Sequence, residues 1–187
     1  MPTIEEFLED ARRRMDKSIE TTRTEFNSVR TGRASAALLD RITIDYYGTP
    51  KPLKNMATIG VPEPRLLTVQ PFDPTQIKAI EKAVQESDLG LTPSNDGKLI
   101  RLPIPQLTEE RRKELVKLVR RYGEDGKIAI RNVRRDVMKH LEELVKSGEV
   151  GDDEERRGET QVQKLTDEHT KSIDELIRNK EAEIMEV

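Results

Sequence analysis

The chain has 187 residues, with 33 Lys and Arg against 36 Asp and Glu and a formal net charge of −3. Charged residues make up 37% and hydrophobic ones only 34%, which suits long helices with broad solvated faces better than a deep globular core. The absence of cysteine excludes disulfides, thiolate metal sites and a cysteine nucleophile, and no apolar run approaches the ~18 residues of a membrane span.

The N-terminal stretch Met1-Pro2-Thr3-Ile4-Glu5-Glu6 is acidic and has no apolar leader core, so the expected location is the cytoplasm. From there Ile4, Leu8, Ala11, Met15, Ile19, Thr22, Phe26 and Val29 recur at intervals of three and four, the period of an amphipathic helix. The middle of the chain changes character. Nine of the ten prolines lie between residues 50 and 105, where they forbid long helices. Strands are predicted at 41–47, 65–70 and 98–102, with a short helix at 74–87 that Leu89-Gly90 terminates.

Beyond the prolines, Thr108 reads as a helix N-cap followed by Glu109 and Glu110, which favour the first turn. A seam through Leu115, Val119, Tyr122, Gly126, Ala129, Val133, Val137, His140 and Leu144 carries a helix over 109–147, stopped at Gly148. After the acidic start Asp152–Glu155, a third seam runs through Val162, Leu165, His169, Ile173, Leu176 and Ile184. Each helix has only a narrow apolar stripe, so the three need one another. The expected fold is α+β: a long three-helix bundle from residues 1–30 plus 106–187, with a small β/α/β domain, 31–105, inserted.

Charge is distributed unevenly along this plan. Residues 111–139 carry eleven basic against four acidic side chains, a net +7, whereas 140–187 net −8. At about 100° per residue, with Lys127 at zero, Arg134 falls near −20°, Arg120 near 20°, Arg131 near 40° and Arg135 near 80°. Ala129, Val133 and Tyr122 cluster near 200–240°, so the basic residues form a stripe separate from the seam. Guanidinium groups make forked contacts to phosphate, which makes the stripe a candidate polyanion surface. Arg30 and Arg33, either side of Gly32, are candidates to extend it.

Motifs for catalysis are lacking. His140 and His169 fall on seams, and Asp152–Glu155 lacks the alternating spacing and glycine of a calcium loop. Gly123-x-x-Gly126 is not followed by the Lys-Ser/Thr of a phosphate loop. The reading is a protein that is not an enzyme and uses no cofactor, metal or small-molecule substrate.

Six blocks in order carry a resemblance over the whole chain: Arg30-Thr-Gly-Arg-Ala34, Tyr46-Tyr-Gly-Thr-Pro50, Ser87-Asp-Leu-Gly-Leu91, Leu107-Thr-Glu-Glu-Arg-Arg112, Arg131-Asn-Val-Arg-Arg-Asp136 and Gln163-Lys-Leu-Thr-Asp167. Together they resemble the ribosome recycling factor family. The resemblance implies an L-shaped, two-arm protein of transfer-RNA dimensions, a cytoplasmic monomer that binds the post-termination ribosome. With elongation factor G and GTP hydrolysed by that partner, it splits the ribosome into subunits. Carried over by position, the large-subunit ribosomal RNA contacts fall on Arg30, Arg33, Arg131 and Arg134. Lys127 and Arg135 join them through the helical stripe. The inter-domain hinge falls at Thr31, Gly32, Pro103 and Pro105. Two departures stand out: Gly126 where alanine is expected, at about 1 kcal/mol of helix propensity, and Ala36 where the family commonly has proline. The competing reading is a helical scaffold that docks a protein partner.

Overall fold

The computed structural model describes residues 2–186; Met1 and Val187, the outer limits of the expected bundle, lie outside the described residues. Contacts divide the chain into two compact units, one from Met1–Phe26 with Lys117–Glu181 and one from Asn27–Val116 with Ala182–Val187.

The first unit is helical. It is built from α1 (Ile4–Asn27), α3 (Glu109–Lys146) and α4 (Asp152–Met185), whose remaining residues belong to the second unit. Local signals set the helix ends. Thr3 and Glu6 form a reciprocal capping box, the Glu6 amide donating to Thr3 Oγ1 (3.2 Å) and the Thr3 amide to Glu6 Oε2 (2.8 Å). The Arg111 amide donates to Thr108 Oγ1 at 3.1 Å, as an N-cap requires. Gly148 takes φ +75°, and the Glu149 amide closes back onto Leu144 O at 3.0 Å.

Ala11, Met15, Ile130, Val137, Leu141, Val162 and Ile173 form the centre of the bundle core. On α3 the buried face departs from the expected seam. Ile130 and Leu141 are fully buried, while Tyr122, Ala129 and His140 sit at its edge. The cause is that α3 meets both α1 and α4, so its buried face is wider than one stripe. His140 stacks on Phe7 with ring centroids 4.8 Å apart. His169, only 8% exposed, lies between Leu165 O (2.6 Å from Nδ1) and Asp16 Oδ1 (2.7 Å from Nε2), joining α4 to α1. Both histidines thus make contacts within the bundle.

At Gly126 and Gly123 the helices approach closely. A Cβ on Gly126 would collide with Thr22 Oγ1 of α1 and stand 2.9 Å from Ile173 Cδ1 of α4. One on Gly123 would collide with Ile177 Cδ1 and lie 2.7 Å from its Cγ1. The alanine expected at 126 has no room, and close packing outweighs the propensity lost.

The second unit holds six strands among its described residues: β1 (Thr43–Tyr46), β2 (Thr49–Pro52), β3 (Ala57–Glu63), β4 (Leu66–Pro71), β5 (Ser94–Asn95) and β6 (Ile100–Pro103). β1 and β2 form a hairpin, and the rest an antiparallel sheet in the order β3-β4-β6-β5. A 3-10 turn at Pro74–Gln76 leads into α2 (Ile77–Gln85). α2 buries Ile80 and Val84 in a core shared with Leu39, Leu53, Leu67, Val69, Ile100 and Leu102. The three predicted strands appear as β1, β4 and β6, with the first shortened because Tyr47 and Gly48 form the turn at φ +50° and +85°. That signature, with φ positive at both central residues, is the hairpin turn that matches strand twist. It leaves Tyr47 79% exposed, edge-on to Tyr46 at 4.6 Å.

β2, β3 and β5 are additional to the predicted strands, and all three lie at sheet edges. Pro50 and Pro52 pair with Asp45 and Thr43, positions whose N–H groups point away from β1, so proline costs the ladder nothing. Pro62 lies in the irregularity between Gly60 and Glu63. Pro71 and Pro103 are the last residues of their strands.

Candidate nucleic-acid interface

The basic stripe of α3 sits on a continuous helix, so its spacing survives intact. Its surroundings divide it in two. Along the edge facing α4, Arg120 Nε donates to Glu181 Oε1 at 2.7 Å and Lys127 is ion-paired to Asp174. Arg134 Nη1 is 3.5 Å from Gln163 Oε1, at the outer limit of a hydrogen bond. The Arg120 guanidinium holds its proton more firmly than usual, through the hydrogen bond to Glu181 and then its charge. On the other edge Arg131 Nη1 meets Glu124 of its own helix at 3.2 Å, and Arg135 Nη1 reaches only Asn132 Oδ1 at 3.5 Å. The acidic third helix thus offsets Lys127 and Arg120. Among the described residues it leaves Arg131, Arg134 and Arg135 as the cations of the stripe without a carboxylate from a neighbouring helix, Arg131 being paired only within its own.

One residue escaped sequence reasoning. Arg121 is exposed, its guanidinium 5.7 Å from the Tyr122 ring centroid, and among the described residues neither it nor Arg135 has a carboxylate partner. Its signal was available, since Arg121 and Arg135 are fourteen residues apart, about four turns, which returns to within ~40° of the same face. Between them lies Ile128, 44% exposed, an apolar patch within the cationic one.

The four remaining predicted positions and the two arginines beside them all belong to the second unit. Arg33 is exposed and its Nη2 pairs with Glu186 Oε1 at 2.5 Å. Thr31 is buried, its hydroxyl accepting from the Arg33 amide at 3.2 Å. Gly32 has open space around it, with nothing within 4 Å of the point where a Cβ would stand. Pro103 closes β6 opposite Leu66, and the Pro105 carbonyl accepts from Arg30 Nη2 at 2.7 Å. Arg30 is turned inward onto backbone carbonyls, not outward. Beside these, Ala36 opens a 3-10 turn, Ala36–Leu39, capped by Ser35, whose Oγ accepts from the Ala37 amide at 3.3 Å.

On the opposite side of α3, Arg14 Nη1 of α1 meets Asp136 Oδ2 at 2.7 Å. The hydrogen bond from Arg14, and secondarily its charge, hold the Asp136 carboxyl below the usual carboxylate range. A carboxyl whose folded value is depressed stabilises the fold above its unfolded value of about 3.9 and loses that contribution as pH falls through the folded value. Both partners are largely solvated, so the pair contributes about 0.5 kcal/mol. Asp136→Asn is expected to lower the denaturation midpoint slightly at pH 7, the difference from the parent vanishing in strong acid. An equal difference at both pH values would count against the pair.

With this geometry in view, comparison with known proteins is decisive. The family model described as ribosome recycling factor matches residues 22–185. The chain belongs to the ribosome recycling factor family. It is 57% identical over 180 residues to the ribosome-recycling factor of Rubrobacter xylanophilus, covering 96% of this chain and 97% of that one. To the Geobacillus kaustophilus factor it is 53% identical over 180 residues, with the same coverage. Its fold resembles a solution structure of ribosome recycling factor, with a TM-score of 0.78, 40% identity and both chains covered in full. It also resembles T. thermophilus ribosome recycling factor placed with E. coli elongation factor G on the E. coli post-termination complex. There the TM-score is 0.70 and identity 45%, over 99% of this chain and 100% of that one. None of the described helices is long and apolar enough to cross a membrane.

Proposed function

We propose that this protein recycles ribosomes: it binds the post-termination complex and, with elongation factor G and GTP, separates the subunits and frees the messenger RNA. The observation that carries this is relatedness along nearly the whole chain, 57% identity over 96% of it, so both units are shared and not one alone. Its own contribution is binding and displacement without catalysis, GTP being hydrolysed by elongation factor G, and its place is the cytoplasm with the ribosomes.

The cationic face of α3, Arg131, Arg134 and Arg135 with Arg121 beside them, meets large-subunit ribosomal RNA, and Arg33 of the second unit makes an RNA contact of its own. Lys127 plays a smaller part because Asp174 offsets its charge. Domain limits of 1–30 plus 106–187 and of 31–105 suit this function, with the connections at Thr31–Gly32 and Pro103–Pro105, both within the second contact-defined unit, as the hinge. Gly32 supports that reading through the open space around it.

The test is light scattering of post-termination ribosomes mixed with the protein, a matched bacterial elongation factor G and GTP. A fall in scattering that needs all three is expected; no fall would remove the proposal. Failure to co-sediment with ribosomes, together with self-association, would favour a helical scaffold instead.

A further inference from the structure

Arg30 differs from every other arginine of the predicted surface in having backbone carbonyls for partners. Its Nη1 donates to Leu89 O at 3.2 Å and its Nη2 to Pro105 O at 2.7 Å. Its Nε is buried without a partner among the described residues. Burial first, and the nearby Arg111 charge second, loosen its hold on its proton. A cation kept in such a place, partly desolvated and next to another cation, must be held by geometry, not by charge pairing.

The geometry joins three separate segments. Arg30 lies on the connection that leaves α1, Leu89 in the loop after α2, and Pro105 in the link from β6 to α3. The Leu89 carbonyl belongs to the peptide that enters Gly90, whose φ of +66° is a conformation other residues rarely adopt. The same two connections are anchored a second time on the β3–β4 hairpin, where the Ala34 amide donates to Pro64 O and the Ile104 amide to Arg65 O, both at 2.7 Å. A guanidinium suits this task because its planar fork aims two donors at two carbonyls from different segments, which a lysine ammonium cannot do from the same stem.

We infer that Arg30 is a positioning residue, a latch that pins the connection after α1 and the link before α3 to the loop after α2 and so sets the spacing of these two connections. This rests on the recycling function proposed above. Arg30 therefore acts through Leu89 and Pro105 and makes no contact with RNA phosphate.

Two substitutions separate these roles. Arg30→Met removes fork and charge, and Arg30→Lys restores only the charge. Three measurements apply to each: large-subunit affinity across a salt series, subunit splitting by light scattering, and amide hydrogen exchange at Ala34 and Ile104, whose N–H groups anchor the same two connections. Both variants should keep affinity within about twofold and an unchanged salt slope. Both should split ribosomes about tenfold more slowly and exchange faster at those amides. A drop of about one in the salt slope for Arg30→Met, restored by Arg30→Lys, would make Arg30 a phosphate contact and overturn the latch. Unchanged exchange in both would also overturn it. Should Arg30→Met unfold, Arg30→Lys decides alone. If the parent protein itself fails to split ribosomes, the recycling function falls, and exchange still tests the latch.

Discussion

Replacing Gly123 and Gly126 together by alanine is expected to destabilise the helical unit by about 2 kcal/mol, although helix propensity alone predicts a gain of about that size. The sign follows from what stands opposite. At 126 the new methyl meets Thr22 Oγ1, a short β-branched side chain that is 2% exposed and whose hydroxyl already donates to Ser18 O at 2.9 Å. It has little freedom to withdraw. At 123 it meets Ile177 through both Cδ1 and Cγ1, so a terminal rotation does not clear it. The helices must separate, and dispersion contacts along the core are lost with them. Gly158→Ala provides the contrast. There the new methyl stands 3.1 Å from Ile4 Cγ2 and Leu141 Cδ1, a contact that a shift of a few tenths of an ångström relieves, and the gain in propensity roughly cancels the strain. Chemical denaturation should show a lower midpoint with an unchanged m-value for the double variant and little change for Gly158→Ala. A double variant more stable than its parent would show that α3 packs more loosely.

The largest functional effect is expected from Arg131→Ala, Arg134→Ala and Arg135→Ala combined. A charge-assisted hydrogen bond contributes about 1.5–3 kcal/mol, so each lost contact costs about tenfold or more and the three together about a thousandfold or more in large-subunit affinity. The salt slope should fall by up to about three, less where the RNA is folded than for duplex. Helical content should stay because, among the described residues, none of the three holds an inter-helix ion pair. Lys127→Ala is the internal control. Its ammonium is already paired with Asp174 and its side chain is only 20% exposed, so its loss should weaken binding by less than about threefold. Equal losses for Lys127→Ala and Arg135→Ala in a salt-series binding titration would refute the division of the stripe.

That division explains how far the site was legible. A helical wheel sorts residues about one axis, and it placed Arg120, Lys127, Arg131, Arg134 and Arg135 on one side of α3. It has no knowledge of the second helix that supplies Glu181 and Asp174, so it weighted all five alike. Arg30 shows the same limit of a linear reading. With Arg33 on the other side of Gly32 it reads as a candidate to extend the stripe, while the carbonyls it donates to lie 59 and 75 residues away.

The three long helices, the caps at Thr108 and Gly148, and the central strands β4 and β6 were determined by the sequence alone. Their signals are local: the three-and-four period, the capping hydroxyls, β-branched runs. Tertiary structure alone decided the edge strands β2, β3 and β5, because an edge needs no alternation and tolerates proline wherever an N–H would face outward. It also decided why residues 123 and 126 are glycine, since that depends on the distance to α1 and α4. The overall charge balance met the same limit: near-neutral in total, it becomes one neutralised edge and one open face only when α4 lies against α3.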